Sequence, residues 1–153
     1  MEQIKIDSNV KKYQIVDEND NELGVIQIDT TDFSFFTRVK SAENSIKEKL
    51  QHFKDIIAEK NSDYDDKLDE IEKLDVEIKA QINYMFGSDV SSIVFGNKNC
   101  LSIGKGELFL ERFMNAILPV IKQDIKRERA ISEERIAKYT GEYVKYKIIS
   151  THF

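Results

Sequence analysis

The sequence predicts a mainly α-helical protein that opens with a β-hairpin, and three observations lead to this fold class. Apolar residues recur at three- and four-residue steps through much of the 153-residue chain, which is the periodicity of amphipathic helices. One Pro and six Gly leave few helix breakers. Near the start, two β-branched runs instead flank a polar cluster. We therefore expect a single domain over residues 1–140 and a loose tail over 141–153.

The hairpin is predicted within residues 1–29. Its strands are the runs at 10–16 and 23–28, with Asp-Glu-Asn-Asp-Asn-Glu between them. Residues 3–7 are a candidate third strand. Because a lone hairpin is only marginally stable in water, we expect this one to pack against a helix.

The apolar periodicity of residues 32–86 predicts a long amphipathic helical region, and Asp32 is a suitable N-cap residue. A heptad can be followed from Leu50 to Met85, although Asp75 interrupts its second seam. The polar run at 61–63 is a weak point, so one long helix and an antiparallel helical hairpin both remain open. The heptad positions are Leu50, Ile57, Tyr64, Ile71, Ile78 and Met85.

Two Phe-Gly pairs, Phe86-Gly87 and Phe95-Gly96, predict two closely spaced helix ends. In each pair the Phe packs, and the Gly adopts the positive φ at which helices often end. Only a short helix fits between them, over residues 88–96, with Ser88 as its N-cap. These pairs predict a structural elbow between longer helices.

A C-terminal helix is predicted over residues 106–139. Pro119 should kink it, because proline lacks an N–H and clashes with the carbonyl of Asn115. Beyond residue 140, apolar residues leave a strand open as an alternative to the loose tail. The wide apolar stripe of this helix is Leu108, Phe109, Phe113, Ile117, Val120, Ile121 and Ile125.

Catalytic and metal-binding patterns are weak, so we expect no enzyme, metal site or cofactor. His52 and His152 lie far apart and give no zinc spacing with a lone cysteine. The acidic run at 63–70 lacks an EF-hand's glycine and glutamate, since Leu68 and Leu74 stand at those positions.

Two other features are also better explained by structure than by chemistry. Gly104-Lys105-Gly106 has neither the spacing nor the hydroxyl of a phosphate loop, and a helix start explains it better. Cys100 has no neighbouring base, which favours a half-buried structural thiol over a nucleophile.

Charge and hydropathy exclude other classes. A net charge of −5 and a pI near 5.2 argue against a nucleic-acid partner, although residues 122–138 are rich in Lys and Arg. The acidity is concentrated in residues 54–79. No apolar run approaches the roughly 20 residues needed to span a bilayer, and the first residues do not resemble a signal peptide. We expect a cytosolic protein with no membrane partner.

Apolar surface in excess of the core would serve self-association or the binding of a partner's apolar helix. Packing in the core is the more ordinary role of such stripes. The candidate positions are Phe109, Phe113, Ile117 and Ile121 in the C-terminal helix, and Ile57, Ile71 and Ile78 in the heptad.

In the order of these elements the chain resembles the tail assembly chaperones of long-tailed phages and prophages of Gram-positive hosts. The resemblance covers about residues 28–139. It rests on Ile-Asp-Thr-Thr-Asp-Phe at 28–33, the two Phe-Gly helix ends, the apolar helix at 109–121 and the charged tail at 122–138.

This resemblance implies a non-enzymatic protein that binds the tape measure protein, keeps it soluble and promotes assembly of the tail tube. It also implies a homo-oligomer in the host cytoplasm, absent from the mature virion. A longer form made by ribosomal frameshifting would recruit tail tube protein. The alternatives are a self-associating coiled-coil structural protein of a phage particle and a small regulatory protein.

Overall fold

The computed structural model describes residues 1–59 and 64–150, and for residue 64 and residues 139–150 it describes the backbone only. The protein is mainly helical with an N-terminal antiparallel hairpin, which confirms the predicted fold class. The elements are β1 Lys11–Val16, β2 Glu22–Ile28, α1 Phe33–Ala58, α2 Tyr64–Phe86, α3 Val90–Phe95, β3 Ile103–Gly104, β4 Glu107–Leu108 and α4 Phe109–Ser150.

The chain divides into two compact units, residues 1–116 and 117–153. The division falls inside the single domain expected over 1–140, which stays a prediction. The hairpin, the first three helices and the start of α4 all belong to the first unit.

Asp17 closes the turn between β1 and β2. Its Oδ1 accepts hydrogen bonds from the amides of Asn19 and Asn21, at 2.8 and 3.0 Å. These bonds lower the pKa of Asp17 below its ordinary value, with the bond from the Asn21 amide the largest cause. β1 and β2 are the only strands of this sheet within the described chain, so residues 3–7 do not form the third strand we considered.

α1 and α2 form an antiparallel helical hairpin. Arg38, near the start of α1, donates to the carbonyl of Met85 near the end of α2 at 3.3 Å. In the middle of both helices, Lys49 and Glu77 form an ion pair at 3.2 Å. Lys67, near the start of α2, donates to the carbonyl of Glu59 after the end of α1. The alternative of one long helix is therefore wrong, while the predicted weak point at 61–63 lies outside the described residues.

The cap predicted for α1 is confirmed, whereas that for α3 is one residue off. Asp32 accepts a hydrogen bond from the Ser34 amide at 2.8 Å. Asp89, not Ser88, caps α3, and its carboxylate accepts from the Ser92 amide at 3.3 Å. A carboxylate suits this position because it also accepts from the side chain of Asn83.

The elbow packs through phenylalanine rings. Gly87 and Gly96 have φ values of 69° and 57°, as expected for the two helix ends. Seven rings from α1, α2, α3 and the start of α4 form a continuous chain, with neighbouring centroids 4.8–6.5 Å apart. In order they are Phe33, Phe36, Phe35, Phe86, Phe113, Phe95 and Phe109.

A small hairpin precedes α4, where we predicted a helix start. Ile103 pairs with Leu108, and Gly104 pairs with Glu107. Lys105 and Gly106 between them both have positive φ, at 54° and 81°, which is the geometry of a type I′ turn. α4 consequently begins only at Phe109.

α4 continues to Ser150, beyond the predicted end at 139. The backbone of residues 141–150 is helical, so the strand considered there is wrong and the loose tail is replaced by helix over this range. Pro119 lies inside α4. The kink at Pro119 stays a prediction.

Candidate functional site

An open apolar groove lies between the end of α1 and the β3–β4 hairpin. Its volume is about 350 Å³, within the size range of small binding pockets. All of its residues belong to the first compact unit. They are Phe53, Lys54, Ile57 and Ala58 from α1, Ile103, Gly106 and Leu108 from the hairpin, and Glu111 from the first turn of α4.

The groove has a buried floor and an exposed apolar rim. Phe53 and Leu108 are only 6% and 8% exposed. By contrast, Ile57 is 51% exposed and Ile103 is 63% exposed, one on each side of the groove. Apolar area of this kind gains about 25 cal/mol for each Å² removed from water, so the rim favours an apolar occupant.

Charged side chains of opposite sign accompany the apolar lining. Lys54 comes from α1 and Glu111 from α4, and both are exposed. An apolar surface bordered by polar groups is typical of a site for another protein. Such a groove can take large apolar side chains from one face of an amphipathic helix.

The β3–β4 side of the groove is held to α2 by Asp75. This carboxylate is 5% exposed, and its Oδ1 accepts from the Cys100 amide at 2.7 Å. Lys79, one turn further along α2, lies 3.1 Å from Oδ2 and also donates to the carbonyl of Lys98 at 2.8 Å. A buried carboxylate requires such partners, and here they fasten the segment before β3 to the helix.

Cys100 is a structural thiol in this arrangement. Its side chain is fully buried, and burial, reinforced by the carboxylate of Asp75, raises the pKa of the thiol far above its ordinary value. A neutral, inaccessible thiol is a poor nucleophile. This agrees with the structural role predicted for Cys100, although the side chain is more buried than expected.

Most of the predicted partner-binding residues are buried within the chain itself. Phe113, Ile117, Ile121 and Ile78 are at most 6% exposed. Phe109 and Ile71 are half-buried. Ile57 alone among the seven is more than half exposed, and it is the one that lines the groove.

Phe109 contacts two cationic side chains and a neighbouring ring. The Arg112 guanidinium lies 4.8 Å from the ring centroid and the Lys98 ammonium lies 5.4 Å from it. Phe95 contacts the same ring in an edge-to-face arrangement. These contacts give Phe109 a packing role in the elbow.

Sequence reasoning missed Ile103 and Asp75. Ile103 lies outside the helical apolar stripes that were considered, and it is the β3–β4 hairpin that places it beside the same groove as Ile57. Asp75 did carry a signal, because it interrupts the apolar positions around Leu74 and Ile78 and precedes Lys79 by four residues. Its partner, the amide of Cys100, is distant in sequence and gives no such signal.

The described residues hold neither a cluster of metal ligands nor a helix that could span a membrane. Groups of three or more His, Cys, Asp or Glu side chains arranged to hold a metal ion do not occur among them. Within the same ranges, every helix is too short or too polar to cross a bilayer.

In the second unit, α4 carries a depression of about 440 Å³ lined by both basic and acidic side chains. Lys122, Lys126 and Arg129 supply the positive charge, and Glu133 supplies a negative one. This is the basic stretch noted in the sequence, and its mixed signs are unlike a uniformly basic nucleic-acid interface.

Comparison with known proteins identifies no relative. No protein-family model, curated protein or solved structure matches the chain.

Proposed function

We propose that this protein is a non-enzymatic phage tail assembly chaperone that binds the tape measure protein, keeps it soluble and promotes assembly of the tail tube. The observation that carries the proposal is the open groove with Ile57 and Ile103 exposed on opposite sides. We name the tape measure protein as the client because the order of apolar helices and Phe-Gly helix ends resembles that of tail assembly chaperones.

The groove suits a client that presents apolar side chains at helical spacing. Large apolar residues of one helix face can cover the exposed rim and reach Phe53 on the floor. The groove is small, so one copy would hold only a short stretch of a long client. Many copies along the client would bind by multivalency, and each individual contact could remain weak.

The charged surface supports the second part of the role. Ten acidic and five basic residues occupy positions 54–79, which gives this segment a net charge of −5. A strong net charge keeps complexes apart in solution. A client coated with copies of the chaperone would therefore remain soluble until the chaperone is displaced.

The proposal includes further partners and a location. The chain would act as a homo-oligomer in the host cytoplasm and be absent from the mature virion. Tail tube protein would be recruited through a longer, frameshifted form. Nucleic acid and membranes would not be partners.

The test is the light scattering of a tape-measure fragment that aggregates when alone. The wild-type protein should suppress the scattering, and an Ile57→Asp/Ile103→Asp double variant should fail to do so. Val76→Asp is the matched control, because Val76 is an exposed apolar residue of α2 outside the groove. Equal aggregation with and without the wild-type protein would refute the proposal.

The alternative, a coiled-coil structural protein, requires the heptad isoleucines to form one seam. Ile57 lies on α1, whereas Ile71 and Ile78 lie on α2, which runs in the opposite direction. Ile78 is also completely buried. These positions give the alternative less support than the groove gives the chaperone role.

A further inference from the structure

The depression on α4 follows one face of that helix, which we call the basic face. Its six residues recur at the spacing that places side chains on the same side of a helix. All of them are exposed except Ile125, which is half-buried. The basic face thus presents three basic groups, one acidic group and two apolar side chains. Its members are Lys122, Ile125, Lys126, Arg129, Ala130 and Glu133.

α2 carries a face of the same spacing and the opposite charge, which we call the acidic face. All six of its residues are exposed, and the apolar Leu68 and Val76 are 45% and 65% exposed. This face presents three acidic groups, one basic group and two apolar side chains. The complete faces therefore have net charges of −2 on α2 and +2 on α4. The members of the acidic face are Asp65, Leu68, Asp69, Glu72, Lys73 and Val76.

The other charged residues of these two segments lie off the faces, because a helix turns by about 100° per residue. Asp75 and Asp124 are buried, and each has an ion-pair partner on its own helix, Lys79 and Arg127 respectively. On the acidic face, Glu72 accepts a hydrogen bond from Asn99 through Oε1. Its second carboxylate oxygen can still accept from another cation. The off-face charged residues are Asp66, Lys67, Glu70 and Asp75 in 65–76, and Asp124, Arg127 and Glu128 in 122–133.

We propose that the basic face of α4 in one copy binds the acidic face of α2 in a second copy, with the two helices parallel. In one register, every basic residue of α4 meets an acidic residue of α2, and Ile125 meets Leu68. The three charge pairs are Lys122 with Asp65, Lys126 with Asp69, and Arg129 with Glu72.

The charges also distinguish the parallel from the antiparallel arrangement. With the same residues paired in the antiparallel sense, only two opposite-charge pairs remain. Glu133 would then lie opposite Asp65, and like charges placed opposite each other are unfavourable. The parallel register avoids this repulsion.

A second copy is the occupant because every copy carries both faces. Two reciprocal contacts of this kind give a closed dimer. Burial of Ile125 and Leu68 supplies apolar area, while exposed ion pairs add little and are screened by salt. This pairing specifies the homo-oligomer included in the proposed function and rests on that function only in this respect, because neither face lines the groove.

The first test reverses the charge of each face and measures self-association by sedimentation. The variants are Asp65→Lys/Asp69→Lys and Lys122→Glu/Lys126→Glu. The wild-type protein should self-associate, and each variant alone should have a dissociation constant raised by at least about tenfold, because like charges then meet. An equimolar mixture should associate again, since the two changed faces are complementary to each other and so are the two unchanged faces.

The matched control is Asp66→Lys/Glu70→Lys. It reverses two exposed acids at the same spacing, also beginning in the first turn of α2, but on a neighbouring side of the helix. It should leave the dissociation constant nearly unchanged. A monomeric wild-type protein, equal weakening by the control, or a mixture that fails to associate would overturn the pairing.

A salt titration tests the wild-type protein without any substitution. Raising NaCl from about 0.05 M to about 0.5 M should weaken self-association, because exposed charge pairs are screened. Association that is indifferent to salt would contradict a contact between these two faces.

The register is tested by disulfide formation between two different single-cysteine variants. Leu68→Cys mixed with Ile125→Cys should cross-link, because a disulfide requires the two Cα atoms to lie within about 7 Å. A mass tag on one variant separates the mixed product from the others. The native Cys100 is fully buried and contributes little background. Preferential cross-linking of Leu68→Cys with Ala130→Cys would show the antiparallel arrangement instead.

The groove variant separates this pairing from the chaperone role. Ile57→Asp/Ile103→Asp should self-associate as the wild type does, although it should fail to suppress aggregation of the client fragment. A wild-type protein that suppresses aggregation but stays monomeric would refute the pairing and leave the chaperone role standing. One that self-associates as expected without suppressing aggregation would do the reverse.

Discussion

The elbow and the groove are built from the same residue types but differ in how completely they are closed. In the elbow, Phe86, Phe95 and Phe113 are buried, and each contacts two other rings. In the groove, Ile57 and Ile103 remain largely exposed. Apolar content alone therefore does not distinguish core from binding surface. The difference is whether a second element covers each side chain.

The largest effect on stability is expected in the elbow, where the apolar side chains are covered. Phe86→Ala removes a ring that contacts Phe35 and Phe113, and it should lower the free energy of unfolding by about 3–5 kcal/mol. Urea unfolding followed by circular dichroism measures the change. Ile57→Ala is the matched variant in the groove and should change stability by less than about 0.5 kcal/mol. Equal losses at the two positions would remove the distinction between the regions.

The next effect concerns the polar attachment between α2 and the segment before β3. Asp75→Ala should lower the free energy of unfolding by about 2–3 kcal/mol, because it leaves the buried Cys100 amide without its acceptor and removes the carboxylate that pairs with Lys79. Urea unfolding again provides the measurement. Asp69→Ala, at an exposed position on the same helix, should be nearly neutral. If the two variants lose the same stability, the attachment contributes nothing specific.

A smaller effect is expected where β2 meets α3. A Cβ on Gly24 would lie 2.9 Å from Cγ2 of Ile93, so Gly24→Ala should cost about 1–2 kcal/mol by crowding. Adding Ile93→Ala removes the obstructing atoms. A double-mutant cycle should then show that the cost of Gly24→Ala is largely abolished. A cost that persists in the Ile93→Ala background would place its origin in the backbone.

The smallest effect is the pH dependence of the α3 cap. Hydrogen bonds from Ser92 lower the pKa of Asp89 below its ordinary value of 3.8. Its contribution to stability is therefore present above that value, and is lost as the pH falls through the lowered pKa of the folded chain. The stability difference between the wild type and Asp89→Asn should shrink between roughly pH 5 and pH 2. A difference that stays constant over this range would contradict the role of the charged carboxylate.

Local signals in the sequence predicted much of the fold. The hairpin, the Asp32 cap and the helix ends at Gly87 and Gly96 each depend on a few neighbouring residues, and each is found. The start of α4 was misplaced because glycine before an apolar run fits both a helix start and a hairpin turn. A lysine at position 105 does not indicate a positive φ, because lysine is not one of the residue types that favour it.

The site was less predictable because it depends on contacts between distant residues. Seven apolar residues are candidates for partner binding in the sequence. Their helical spacing is the same whether the folded chain buries the side chain or leaves it exposed. Ile78 is completely buried in the folded chain, and the β3–β4 hairpin places Ile103 beside the same groove as Ile57. Periodicity indicates which face of a helix is apolar, but not whether another element covers it.

The bond from the Cys100 amide to Asp75 has a consequence for how occupancy of the groove could be detected. Cys100 precedes Ile103 by three residues, so the same short segment joins a helix of the core to one wall of the groove. A ligand that binds only the folded state makes opening of that segment less frequent, in proportion to its saturation. Amide hydrogen exchange at Cys100 would then slow when the groove is filled, although the amide itself touches no ligand.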